Sequence, residues 1–198
     1  MDHSTNIFEG HKVRLRAFTA EDVDVLWQQH GSDTEAERLA GAPEFPRSRK
    51  HFEDFVNARL DYTYDHDNYH LAVETLDGEF VGHVCSMGAF RRMGSFGLGV
   101  HLFRPFWGNG YGTESAALLL RFFFRELRYH SCSSSCWEFN EASQALHRKL
   151  GFREIGRRKE RVFHNNKRYD EILWDMTKDE FLDVPINLPP VAFYEDPP

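Results

Sequence analysis

Residues 103–114 read Phe-Arg-Pro-Phe-Trp-Gly-Asn-Gly-Tyr-Gly-Thr-Glu. Before them, residues 95–103 fit a strand; after them, residues 112–127 carry Ala116, Leu119, Leu120, Phe123, Phe124 and Leu127 at helical spacing. A strand therefore runs into a glycine-rich turn that opens a helix. Gly108, Gly110 and Gly112 lack a β-carbon, so a ligand can approach the backbone closely. The first amides of the new helix have no partner within it, and the positive end of the helix dipole lies behind them. Such a turn is a site for a phosphate group. The glycine spacing is G-x-G-x-G, not the G-x-G-x-x-G of a dinucleotide fold, and the Gly-Lys-Ser/Thr ending of a Walker loop is absent. A turn serving only strand-to-helix packing is the plainer alternative.

Upstream, residues 12–18 alternate as a half-buried strand, Thr19 caps a helix with Val23, Leu26 and Trp27 on its apolar side, and Ser48 caps another with Phe52, Phe55, Val56 and Leu60. The stretch between them, 31–47, holds Gly31, Gly41, Pro43 and Pro46 and reads as irregular. Residues 69–76 and 79–88 form a hairpin about Asp77-Gly78. Downstream come a strand over 131–139, a helix over 141–150 capped by Asn140 and closed by Gly151, and a hairpin of 152–163 with 168–176 around Asn165-Asn166. From about Asp183 the chain holds five of its eight prolines and reads as an extended tail. The order implies an α+β (mixed α/β) fold with one central, mostly antiparallel sheet flanked by helices. One domain over 1–182 and a proline-rich tail over 183–198 are expected.

A second segment, residues 138–152, reads Glu-Phe-Asn-Glu-Ala-Ser-Gln-Ala-Leu-His-Arg-Lys-Leu-Gly-Phe. With it, the chain resembles the GNAT N-acetyltransferase superfamily, and within it the RimJ/RimL-like branch. W-G-x-G-Y-G-T-E is similar to that branch's pyrophosphate loop, N-x-x-S-x-x-x-x-x-K-L-G-F to its second cofactor motif, and G-H-K-V-R-L-R-A-F-T-A-E-D to its first strand and helix. The resemblance covers about residues 10–182.

The resemblance implies a V-shaped splay between the fourth and fifth strands. It implies acetyl-CoA as co-substrate, its pyrophosphate on the amides from Gly108 through Asn109, Gly110, Tyr111 and Gly112 to Thr113, with Trp107 leading the loop. Leu102 and Phe103 would pair with the pantetheine arm, Asn140 would bind it, and Ser143 would lie near the sulfur. Many members carry a tyrosine seven residues after the asparagine to protonate the departing thiolate; that position is His147 here, so Ser143 and His147 are both candidates for the acid. Some members carry a basic glutamate on the third of the central strands, where this chain has Gly97. Glu138 and His101 are the candidates by position, with a water chain as the alternative. The implied activity is direct transfer to a primary amine: a protein N-terminus, a polyamine, an amino sugar or an antibiotic. A coenzyme A-binding module without transfer is the alternative.

Composition fits a small-molecule or peptide amine as partner better than nucleic acid, because the net charge is −7 with 41% hydrophobic and 28% charged residues. No apolar leader or membrane-length segment is visible, so a cytoplasmic protein is expected, with a homodimer left open. Cys85, Cys132 and Cys136 match no zinc spacing and read as buried free thiols; no metal is expected, His66 and His70 lying on a loop and a strand. Tyr62, Tyr64 and Tyr69 read as packing or as the lining of an acceptor pocket. Arg157, Arg158, Lys159 and Arg161 read as a solvated strand face.

Overall fold

The computed structural model describes residues 6–30, 33–41, 45–60 and 66–191. The strands are β1 (Val13–Arg16), β2 (His70–Thr75), β3 (Phe80–Phe90), β4 (Ser95–Leu102), β5 (Ser131–Trp137), β6 (Arg153–His164) and β7 (Lys167–Thr177). The helices are α1 (Asp22–His30), α2 (Thr34–Ala40), α3 (Arg49–Leu60), α4 (Tyr111–Arg121), α5 (Glu141–Leu150) and α6 (Lys178–Asp183). The mixed α/β fold expected from the sequence is present as one seven-stranded sheet, ordered β1-β2-β3-β4-β5-β7-β6.

The register holds the key to the site. Neighbouring strands are antiparallel except β4 and β5, which run parallel and pair only at Ser95–Ser131, Phe96–Cys132 and Gly97–Ser133. Beyond Gly97 the two strands part, which opens the expected V-shaped cleft. Leu98 C=O accepts from Ser134 Oγ at 3.0 Å on the β5 side, while Phe103 N–H donates to Val81 on β3. Since peptide groups alternate in direction along a strand, those of Val100 and Leu102 face the cleft.

Consecutive strand residues point to opposite faces, and the core divides accordingly. Val73 packs with Val13, Leu98 and the fully buried Ala116–Leu120 of α4, whereas Ala72 packs with Phe18, Leu26, Phe52, Phe80 and Phe103 beneath α1 and α3. Burying a side chain such as Leu118 or Val56 stabilises by about 1.5–3 kcal/mol, so each face is fixed by its own helices. After Arg121, residues Phe122–Glu126 widen into a π-turn that stacks Phe123 on Phe96, with ring centroids 4.0 Å apart.

Two helices were not read from the sequence. The stretch 31–47, expected to be irregular, contains α2, which Asp33 caps through the Ala36 N–H; Gly31 and Pro43 lie outside the described residues. At the other end α6 begins with a capping box between Thr177 and Glu180. Ile186 and Leu188 of the segment beyond it pack on the core, and Arg121 donates to Pro189 C=O at 2.9 Å and to Ile7 C=O at 2.7 Å. Asn165 and Asn166 both take left-handed φ at the β6–β7 turn. No helix among the described residues is long and apolar enough to cross a membrane.

Candidate active site

The cleft between β4 and β5 encloses about 950 Å3. Its floor is the end of β4, one side is α5, another is α2 through Ala36, Leu39 and Ala40, and its mouth is the glycine-rich loop. Leu102, Trp107, Gly108, Gly110, Gly112, Thr113, Asn140, Ser143 and His147 all line it. Two sequence segments 26 residues or more apart are thus brought together as the strand-to-helix reading expects.

The loop is shaped by backbone. Gly108 and Gly110 take φ of +79° and +83°, and Gly110 is the residue before α4. A left-handed residue there turns the first α4 amides toward the mouth, where no side chain caps them. Trp107 folds back: its indole N–H donates to Leu102 C=O at 2.7 Å and the Arg104 guanidinium lies over the ring. Leu102 thereby offers the cleft its N–H, its carbonyl being taken.

Glu114, in the first turn of α4, is buried and accepts from the backbone N–H groups of His11, Lys12 and Val13 at 2.8–3.0 Å. This ties β1 to the loop and brings Lys12 Nζ to Asn109 C=O at 2.9 Å, about where a Cβ on Gly110 would stand 3.3 Å away. Lys12 is a cation beside the amide cradle that sequence reasoning did not single out. The signal was present in the pairing of Glu114 with the strand opening at residue 12, but nothing in one dimension joins them.

Asn140 caps α5, accepting from Ser143 N–H at 3.0 Å, and its amide donates to Leu39 C=O at 3.0 Å. One side chain therefore links α5 to α2 across the cleft. Ser143 Oγ lies 3.5 Å from His147 Nδ1 and also reaches the Cys136 thiol. Cys136 accepts from the Trp174 indole at 3.2 Å, and burial raises its thiol above the ordinary range. Cys132 is buried and Cys85 half-buried; all three cysteines are free.

The structure also shows how the side chains of the other expected site residues are placed. Phe103 does not face the cleft: it is 3% exposed against Phe80 and its N–H belongs to β3. The side chains of Asn109 and Tyr111 are turned from the cleft, Asn109 giving its amide to Phe106 C=O and Tyr111 packing on the core, so these two residues offer the loop their backbone amides alone. Glu138 is turned away, its carboxylate held by Arg157 at 3.1 Å and the Asp170 N–H at 3.3 Å. It is not among the residues that line the cleft. His147 is 3% exposed, stacks on Trp174, and sits with Nδ1 2.7 Å from Ser143 C=O. A carbonyl only accepts, so the neutral ring carries its proton on Nδ1 and spends it there. Burial also lowers its pKa.

Of the remaining candidates, His101 lines the cleft from β4. Tyr69 packs against Phe122 and Phe123, while Tyr62 and Tyr64 lie outside the described residues. His66 is exposed on a bend; His70 faces Arg59 and His83. In the basic run, Arg157 pairs with Glu154 and Glu138, and Arg158 with Glu171.

Comparison with known proteins accounts for this architecture. Residues 12–153 match the family model described as the acetyltransferase (GNAT) domain. The SPbeta prophage-derived uncharacterized N-acetyltransferase YokL of Bacillus subtilis (strain 168) is 31% identical over 172 residues, covering 87% of this chain and 93% of the relative. A GNAT-family acetyltransferase from Bacillus anthracis superposes with a TM-score of 0.73 at 21% identity, covering 87% of this chain and 98% of that one. The spermidine N-acetyltransferase of Vibrio cholerae, solved with CoA and spermine, superposes with a TM-score of 0.74 at 19% identity, covering 86% and 98%. A parallel pair that parts after three rungs, a glycine loop at the mouth and this family match agree: the chain belongs to the GNAT acetyltransferase family and is an N-acetyltransferase.

Proposed function

We propose that this enzyme moves the acetyl group of acetyl-CoA to a primary amine by direct attack within a ternary complex, and that it lies in the RimJ/RimL-like branch. The reading rests on one observation: the peptide groups of Val100 and Leu102 face a cleft whose mouth is the Gly108–Thr113 loop. The fit to acetyl-CoA is chemical. Helix-start amides at Gly110–Thr113 and the Lys12 ammonium match a pyrophosphate, and a β-carbon at Gly112 would press on Leu102 and Leu146 at 3.2–3.3 Å. The open β4 edge matches the amides of a pantetheine arm.

Acetyl-CoA supplies the activated acyl group. The chain's own residues position it: α4 amides hold the diphosphate end, and the cleft-facing N–H groups of β4 are donors for an oxygen that gains charge as the amine attacks. The N–C bond forms, the C–S bond breaks, and the amine proton leaves to solvent. Ser143 Oγ, on the cleft wall three residues after the α5 cap, is the donor we assign to the thiolate; His147 supports α5 and does not serve as the acid. No residue set in this mechanism requires a metal. The domain over 1–182 carries all of it, and a homodimer is compatible with it.

Thiol release from acetyl-CoA tests the reading with a panel of primary amines, the acetylated product being identified by mass. Amine-dependent release with a matching product is expected. Saturable acetyl-CoA binding without release from any amine would instead make the chain a coenzyme A-binding module.

A further inference from the structure

Beneath α1 and α3, on the sheet face opposite α4, four imidazoles meet: His30 at the end of α1, His70 on β2, His83 on β3 and His101 on β4. The His30 and His101 rings stack with centroids 4.1 Å apart and planes 18° apart, and His83 lies along His101 at 5.1 Å and 14°. Ring nitrogens of His30, His83 and His101 all lie within 4.8 Å of one another. His101 carries this group to the cleft wall.

Hydrogen-bond direction decides the character of the cluster. Arg59 on α3 places Nη2 2.9 Å from His70 Nδ1, and a guanidinium only donates. His70 therefore accepts at Nδ1 and carries its proton on Nε2. That Nε2 lies 2.9 Å from His83 Nδ1, so His83 accepts there and its proton is on Nε2. Both nitrogens of His83 are thereby committed, one accepting and one protonated, and neither offers a lone pair to a metal. The near-parallel rings also keep in-plane lone pairs from converging on one point, as a tetrahedral centre requires. The trio is a stack of uncharged imidazoles, not a metal centre.

The surroundings keep it so. Burial is the first cause lowering His30, His70, His83 and His101, to about 3 for His70 and His101; the Arg59 charge adds to it at His70 and His83. The charged groups near His30 come in pairs: Glu37 with Arg47 at 2.7 Å and Asp33 with Arg104 at 2.7 Å. Cys85 on β3 is held protonated, its thiol pushed up to about 11. A nitrogen base brought against His101 enters a place where nitrogen bases stay unprotonated and where, among the described residues, no unpaired carboxylate waits for an ammonium ion.

We propose that the His101 imidazole, stacked on His30 and backed by the Arg59–His70–His83 chain, forms the acceptor side of the cleft and admits the amine as the uncharged base. The inference rests on the cleft being the transfer site and names the charge state it selects: amines that are substantially uncharged near neutral pH are favoured over polycationic amines. The incoming nitrogen attacks without a resident base, and its proton is lost to solvent as the amide forms.

The test uses the full chain and the best acceptor among benzylamine, a dipeptide, glucosamine and spermidine, from pH 7 to 9. Below the pKa of the amine, KM for total amine should fall about tenfold per pH unit while kcat stays level, since only the free base binds. A level KM with kcat rising with pH would overturn the inference, because the ammonium ion would then bind and lose its proton in place. His101→Glu adds a carboxylate to the wall and Arg59→Met removes the cation behind it. Each should flatten the KM slope while leaving KM for acetyl-CoA within about twofold, and retention of the wild-type slope in both would count against the wall. If neither variant folds, the wild-type split of KM from kcat decides alone. Micromolar zinc binding by calorimetry, lost in His101→Gln, would refute the hydrogen-bond direction. Transfer with a level KM sinks this inference alone; absence of transfer to any amine, with acetyl-CoA still bound, sinks the transferase reading and this inference together.

Discussion

The loop at Trp107–Thr113 and the imidazole group of His30, His70, His83 and His101, which reaches the wall through His101, serve one cleft, yet they are made of different material. The loop is contiguous backbone: two left-handed glycines and the first amides of α4. The imidazole group is side chains from α1 and three adjacent strands, ordered by one guanidinium on α3. Backbone sites tolerate any side chain that leaves the φ angles and the approach free. Side-chain sites depend on packing, on tautomer and on exclusion of water. The two should therefore fail under different challenges.

Acid is the harsher challenge and strikes the imidazole side. The four histidines have folded values below 6.5, with burial as the first cause. The unfolded chain binds protons below about pH 6.5 that the folded chain does not, so stability falls as pH falls through that value. For His70 and His101 the fall continues to their folded values of about 3. At about 1.4 kcal/mol per group per pH unit, these two alone cost roughly 5 kcal/mol at pH 4.5. Denaturant midpoints between pH 6.5 and 4.5 should drop steeply, and less steeply in His70→Gln; parallel curves would mean that the cluster is not the acid-sensitive element.

Gly110→Val challenges the other side. A β-branched residue at φ +83° carries strain of about 1–3 kcal/mol and crowds Lys12. Acetyl-CoA should bind about 100-fold more weakly by calorimetry, with the circular dichroism spectrum preserved. Wild-type affinity would reduce the loop to a packing turn.

A smaller difference lies within α5. Ser143→Ala should lower kcat about tenfold at unchanged KM for acetyl-CoA, a partial loss within the usual span of general acids. His147→Phe should keep kcat within about twofold, because its proton is committed to Ser143 C=O. The reverse ranking, with kcat falling through an imidazole pKa, would restore His147 as the acid. The smallest effect is expected at Asn140→Ala: about 1 kcal/mol of stability for the lost cap, with weaker acetyl-CoA binding as α2 loosens from α5. A stability loss with unchanged affinity would confine Asn140 to capping.

The same contrast explains what the sequence made legible. The β4–loop–α4 unit, the Asn140 cap, the Gly151 terminus and both hairpins are written in local residues, because each is a local backbone choice. The segment that holds α2 has glycine or proline on both sides and one buried apolar residue, Ala36. What fixes it is distant: Arg104 on Asp33, Arg47 on Glu37 and Asn140 on Leu39. Glu138 and Phe103 adjoin site segments, but in the turn after β5 the Glu138 carboxylate is held by Arg157 and the Asp170 N–H, and past the end of β4 Phe103 turns to the core; neither direction is written in the local sequence. His101 was weighed as a lone base; its partners His30, His70 and His83 are 71, 31 and 18 residues upstream and share no motif with it.

The three rungs between β4 and β5 have a mechanical consequence. Four strands lie on one side of that seam and three on the other, so the sheet is a pair of leaves joined at one end. Leu102 and Asn140 sit near the free ends of those leaves, several residues from the joint, and any tilt at the joint is magnified there as along a lever. The rung at which the leaves part is built from small residues, Gly97 opposite Ser133, and a β-carbon on Gly97 would already press on Met87 C=O at 3.1 Å. Bulk added at this point would change the gape of the distant tips, and with it the reach between a donor held on one leaf and an acceptor held against the other.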